Sequence, residues 1–109
     1  MSWVRITGTA SFPLRQGRKV VIQEHELAVF NLGNGKYAAV DNACPHRGGP
    51  LCDGIVTGDT VVCPLHGWKT DLETGHVVKP DICVRTLRYE VQVEDGMLSI
   101  KLPAAASLY

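Results

Sequence analysis

The chain has 109 residues and a mass of 11.9 kDa, enough for one domain with a hydrophobic core. Hydrophobic residues make up 45% and charged residues 20%, a globular composition that excludes an intrinsically disordered chain. Eleven basic residues balance eleven acidic ones, so the basic excess of a general nucleic-acid binder is missing.

The start, Met1-Ser2-Trp3-Val4-Arg5, lacks the charged-then-apolar pattern of a secretory signal. The longest apolar runs, such as Leu27-Ala28-Val29-Phe30, fall far short of the roughly 20 residues of a membrane helix. The expected compartment is the cytosol, where cysteines serve as metal ligands or free thiols more often than as disulfides. Arg5, Arg15, Arg18 and Lys19 open the chain without an acid among them and read as a solvated basic patch, with Trp3 as a packing residue.

Strand patterns follow. Val20-Val21-Ile22 and Glu26 to Phe30 form two short candidates, separated by Gln23-Glu24-His25 as a solvated turn. Asn34-Gly35, between Val29-Phe30 and Tyr37 to Val40, is a hairpin turn, because such turns need positive φ. From Asp41 to Pro80 the composition changes: more than half of the glycines and most of the prolines, cysteines and histidines gather there. Such a segment buries little apolar surface of its own, so something other than a hydrophobic core is expected to fix it. Short strands are expected inside it at Thr60 to Cys63, Trp68 to Leu72 and His76 to Val78, with a turn at Thr74-Gly75. Beyond it, Leu87, Tyr89, Val91 and Val93 alternate with polar residues, as a strand with one wet face requires. Asp95-Gly96 then turns the chain into Met97 to Leu102. These elements predict a single all-β domain over 1–109, an antiparallel sandwich or barrel, with a loop-rich segment of about 41–80 nested between its strands.

Two motifs in that segment carry chemistry: Cys44-Pro45-His46 and Cys63-Pro64-Leu65-His66, with sixteen residues between them. Each loop supplies one thiolate and one imidazole, a donor set suited to zinc or to an iron–sulfur cluster. Zinc fingers usually pair Cys with Cys and His with His in separate knuckles. Mixed pairs suit a binuclear centre, in which both cysteines hold one metal and both histidines the other. A mononuclear zinc site stays open, which would make the chain a zinc-stabilised interaction module, as does a Cys44–Cys63 disulfide. Cys52 and Cys83 read as buried or half-buried free thiols. His76 fits no ligand spacing.

In motif and spacing the sequence resembles the Rieske family, whose [2Fe-2S] cluster has two Cys on one iron and two His on the other. The resemblance runs through Asn42 to Leu51 and Cys63 to Gly75. It implies Cys44, His46, Cys63 and His66 as ligands of one cluster per chain, and a role in one-electron transfer. Respiratory members carry a disulfide between the positions held here by Gly49 and Leu65, and Ser and Tyr hydroxyls at those of Trp68 and Thr70. Without these devices the resemblance implies a low-potential, ferredoxin-type centre. Backbone N–H groups of Gly48, Gly49 and Gly67 are candidates to stabilise its charge.

Asp41 to Leu51, Gly54-Ile55-Val56-Thr57-Gly58, the Cys63 to Lys69 loop and Pro80-Asp81-Ile82-Cys83 further resemble the small-subunit family of assimilatory NAD(P)H-dependent nitrite reductases. That resemblance implies a large siroheme-bearing subunit as redox partner and the conversion of nitrite to ammonium. The soluble ferredoxins of multicomponent aromatic-ring-hydroxylating dioxygenases share the same ligands and are the alternative. Neither implies a nucleic acid or a membrane as partner. Arg47, Pro64, Leu65, Trp68 and Lys69 surround the expected histidines as a small apolar patch with a basic rim, a candidate docking face.

Overall fold

The structure, a computed structural model, describes residues 2–8, 12–42, 50–64, 67–79 and 86–102. In chain order its strands are β1 (Ser2–Gly8), β2 (Gly17–Ile22), β3 (His25–Gly33), β4 (Lys36–Asp41), β5 (Ile55–Thr57), β6 (Thr60–Val62), β7 (Lys69–Asp71), β8 (Val77–Lys79), β9 (Arg88–Glu94) and β10 (Met97–Leu102). A 3₁₀ turn covers Leu51–Asp53. The strands form two antiparallel sheets, one in the order β1-β10-β9-β4-β3-β2 and the other in the order β5-β6-β7-β8. The expected all-β class is the observed one. Among the described residues no helix is long and apolar enough to cross a membrane.

Local chemistry sets the hairpins. Asn34 and Gly35 take φ of 55° and 74°, and Asp95 and Gly96 take 52° and 75°. Paired positive φ values match the right-handed twist of the flanking strands, which is why Asn-Gly and Asp-Gly serve here. Ile22 pairs with His25, leaving only Gln23 and Glu24 in that turn. His25 is therefore the first residue of β3, half-buried with its ring 6.3 Å from that of Tyr89, and not a solvated turn residue.

β3 is buried on both faces. Leu27 and Val29 join Ile22, Ala39, Tyr89, Leu98, Ile100 and Leu102 in one apolar cluster. Ala28 and Phe30 point the other way, into a cluster with Val40, Leu51, Val61, Cys63 and Leu72. The unbroken run Leu27-Ala28-Val29-Phe30 is what a strand covered on both sides requires. The nested segment therefore does have a hydrophobic core, contrary to the sequence-based expectation. Its inward positions are few, but they share one cluster with residues supplied by β3 and β4, and the composition of 41–80 alone does not reveal those partners.

Two strands escaped the sequence reading. β1 places Val4 and Ile6 against the first cluster through its pairing with β10. Trp3, expected to pack, is instead 46% exposed, with the Lys101 ammonium 5.9 Å from its ring centroid. β5 pairs with β6 across Gly58-Asp59, where Gly58 has a φ of 60°. On β9 the apolar face is covered only at its middle: Tyr89 is buried, while Leu87, just before the strand, and Val93 are exposed.

β4 and β9 pair directly through Ala39–Tyr89 and Val40–Arg88. The whole four-stranded sheet lies between them in the chain, so the excursion leaves and returns at neighbouring strands. Its docking depends on close backbone approach. A Cβ on Gly17 would lie 2.6 Å from the Cys52 carbonyl oxygen and 2.6 Å from the Phe30 ring. Gly17→Ala should therefore cost about 1–3 kcal/mol in urea melts, the usual penalty of overpacking. Gly8→Ala, whose Cβ meets nothing nearer than 3.7 Å, should cost much less. Equal losses in the two variants would contradict this account of how β2 docks against the 3₁₀ turn.

Candidate metal centre

The β6–β7 hairpin places one of the four expected ligands. Val62 pairs with Lys69, and the Cys63 N–H continues the ladder by donating to the Trp68 carbonyl at 2.7 Å. Inside that pair, the Gly67 N–H donates to the Cys63 carbonyl at 3.0 Å. Gly67 has a φ of 72°, a left-handed conformation that glycine adopts without steric cost. Cys63 is thus pinned through both of its backbone polar groups, at the head of its C-x-x-H motif. Its side chain is buried, 2% exposed, in the cluster shared with β3 and β4. The Gly67 N–H is committed to this turn, which corrects its expected role as a donor to the cluster. Gly48 and Gly49 lie outside the described residues.

Cys44, His46 and His66 also lie outside the described residues, as do Arg47, Leu65 and Cys83. The structure does show what holds the base of the Cys44/His46 loop. Asn42 is 2% exposed and makes four hydrogen bonds. Its N–H donates to the Glu26 carbonyl at 3.0 Å, and its carbonyl accepts the Leu51 N–H at 2.7 Å. Its side-chain Oδ1 accepts the Cys52 N–H at 2.8 Å, and its Nδ2 donates to Glu26 Oε2 at 2.8 Å. Sequence reading quoted Asn42 only as part of a run. A buried amide at a strand end, just before a ligand motif, was the available signal. Next to it, the Asp41 N–H donates to the Leu87 carbonyl, and Asp41 Oδ1 accepts the Tyr89 hydroxyl at 3.2 Å.

The remaining positions fall into place. Cys52 is half-buried, as expected of a free thiol. Burial pushes its thiol up from the usual value and the Asp53 carboxylate adds to the shift, so it stays protonated near neutrality. Of the expected docking patch, Pro64 is exposed, while Trp68 and Lys69 are half-buried. Trp68 packs against the core cluster, in keeping with a packing role. His76 is exposed.

Two observations bear on whether an iron–sulfur cluster fits here. Cys63 offers a soft sulfur donor that is buried and rigidly held, as a thiolate ligand should be. Register places Thr70 opposite both Val61 and Val77. Thr70 thus shares the inner face with Val61 and, two residues further along β6, Cys63. Thr70 is fully buried, and its hydroxyl has no partner among the described residues. A fully buried hydroxyl ordinarily has a partner, so an acceptor beside Cys63 fits this site.

A family profile for the Rieske [2Fe-2S] domain matches residues 2–90. The chain belongs to that family and is an electron-transfer protein with a Rieske-type [2Fe-2S] cluster, which decides against the zinc alternative. It is 35% identical over 95 residues to a 4beta-methylsterol monooxygenase of Methylococcus capsulatus, a match covering 77% of this chain and 25% of that protein. The chain spans about a quarter of that relative's length. It is 27% identical to the ferredoxin component of a naphthalene 1,2-dioxygenase system of Pseudomonas aeruginosa, over 92% of this chain and 95% of that one. A solved structure described as an NADH-dependent nitrite reductase small subunit of Mycobacterium tuberculosis superposes with a TM-score of 0.87. At 23% identity it covers 95% of this chain and 97% of that one, and attests the shared fold.

The Tyr89–Asp41 contact beside the loop base has a pH signature. Burial and the Asp41 charge push the Tyr89 phenol up to about 12. The fold favours the neutral phenol, so its contribution is complete below the ordinary value of about 10 and is lost as pH rises from there toward about 12. Tyr89→Phe should therefore lose less stability than wild type between about pH 9 and pH 11 in urea melts. A decline of the same size in both proteins would contradict the burial of this group.

Proposed function

We propose that Cys44, His46, Cys63 and His66 hold the cluster, and that the chain passes single electrons to the large siroheme-bearing subunit of an assimilatory nitrite reductase. The observation that carries the ligand assignment is Cys63, a buried thiol pinned at the head of its C-x-x-H motif. The cluster supplies reversible uptake of one electron, a capacity that this chain's side chains lack. The chain's own work is to bind and to orient. The Cys63–Trp68 pairing holds the strand ends on either side of the second motif together, and Asn42 bonds to the residues that follow the first motif's segment. Burial of Cys63 keeps water from its sulfur, while Pro64 and Gly67 beside it are exposed. Exposed residues beside a buried ligand suit electron exchange with a larger partner. The nested segment of about 41–80 acts in this reading as the cluster-binding unit of a single domain.

The runs Gly54 to Gly58, Cys63 to Lys69 and Pro80 to Cys83 support the nitrite reductase reading through their resemblance to that small-subunit family. The second reading, a ferredoxin serving an aromatic-ring-hydroxylating oxygenase, is favoured by the near full-length match to a dioxygenase ferredoxin component.

Purified protein should contain about two irons and two sulfides per chain, with no stoichiometric zinc. Alanine at any of the four ligand positions should abolish the visible absorption and lower the melting temperature. A colourless wild-type chain with one zinc, or a Cys44→Ala variant that keeps the cluster, would overturn the assignment.

The partner is tested by mixing anaerobically reduced protein with a siroheme nitrite reductase large subunit plus nitrite, and separately with a ring-hydroxylating oxygenase. Nitrite-dependent bleaching and reoxidation by the first is the expected result. Rapid reoxidation by the oxygenase alone selects the second reading, and reoxidation by neither overturns both.

A further inference from the structure

The two ends of the segment that carries Cys44 and His46 lie at residues 42 and 51–52, and one side chain touches both. Asn42 belongs to the strand side by its bonds to Glu26, and to the returning side by its bonds from Leu51 and Cys52. We propose that Asn42 is a positioning residue of the metal centre: its amide ties both ends of the segment that carries Cys44 and His46 to β3 and so governs how firmly those two ligands are held. The inference rests on the ligand assignment above and adds a residue that is not itself a ligand.

The chemistry explains why an amide stands there. The position must accept from the Cys52 N–H and donate to the Glu26 carboxylate at once, and only an amide side chain of this length does both. Aspartate keeps the acceptor but sets a second carboxylate against Glu26. Alanine leaves the Cys52 N–H without its partner beside a buried strand end, where an unmade hydrogen bond costs most. Glu26 is exposed, while Asn42 is 2% exposed, so the bond sits at the boundary of the core. The loop is rich in glycine and proline and offers few side chains to hold itself. Joining its ends removes conformational freedom that would otherwise let the first two ligands drift relative to the second pair.

The test uses the holoprotein as wild type and as Asn42→Asp, Glu26→Gln, Glu26→Ala and the double variant Asn42→Asp/Glu26→Gln. Iron release to a chelator, reduction potential and visible circular dichroism are read for each. Asn42→Asp should release iron about tenfold faster and shift both potential and dichroism, since a bond to a charged group is lost and a repulsion gained. Glu26→Gln should behave as wild type. The double variant should recover to within about twofold, because the glutamine amide then donates to the new carboxylate. Glu26→Ala alters only the surface partner, so it folds even where the buried variant does not, and it should fall between wild type and Asn42→Asp.

Variants that melt earlier yet keep wild-type iron release, potential and dichroism would reduce Asn42 to a purely structural residue and overturn the proposal. So would a double variant that does not recover. A wild-type chain that purifies without a cluster overturns the carrier reading and this inference with it. A normal wild-type cluster with silent variants overturns this inference alone.

Discussion

Everything in this molecule depends on one strand pair being covered from both sides. β3 and β4 give alternate residues to two cores: Leu27, Val29 and Ala39 to one, Ala28, Phe30, Ala38 and Val40 to the other. Fully burying side chains of this kind stabilises by roughly 1.5–3 kcal/mol each for the larger ones, and here each strand contributes on both faces. The four-stranded sheet is short and has glycine-rich turns, and it finds its apolar partners on that second face. Without β3 and β4 behind it, Val61, Cys63 and Leu72 would have no core to enter.

The same arrangement supports the two motifs of the proposed metal centre by different means. Apolar packing fixes Cys63, which lies inside the second core. Hydrogen bonds fix what packing cannot reach. Asn42, Glu26, Asp41 and Tyr89 gather at the base of the other loop, where β4 ends and the chain leaves the large sheet. A ligand set divided between two segments, as proposed, needs both means of support. A packed core alone would leave the glycine-rich loop free, and a polar clamp alone would leave the thiol in water. Restricting where ligands sit before the metal arrives is the general condition for a well-defined site.

Much of this was legible from sequence, because the signals were local. Asn34-Gly35 and Asp95-Gly96 specify hairpins through backbone φ alone, and the observed registers place them at the turns. The Cys and His spacing identified the family without any structure. What could not be read was non-local. The core of the nested segment is built with residues from β3 and β4, so its own composition understated how much it buries. His25 looked like a turn residue because the reading allowed three residues where the hairpin uses two. Trp3 looked like core by type alone, yet alternation along β1 turns it outward. Asn42 signalled only as an amide at a strand end before a ligand motif, since its importance lies in four hydrogen bonds to Glu26, Leu51 and Cys52, in two other stretches of chain. Thr70, which stands where respiratory members carry a tyrosine, is fully buried, and its hydroxyl has no partner among the described residues.

The central claim is that two histidines and two cysteines of this chain share one binuclear iron centre. Electron–nuclear double resonance on the reduced protein, with histidine nitrogens labelled with ¹⁵N, tests it most directly. The account predicts two strongly coupled histidine nitrogens in the wild type, and neither His25→Ala nor His76→Ala should remove either of them. A spectrum without coupled histidine nitrogen, as an all-thiolate cluster would give, or one that loses a coupling when His25 or His76 is replaced, would contradict it.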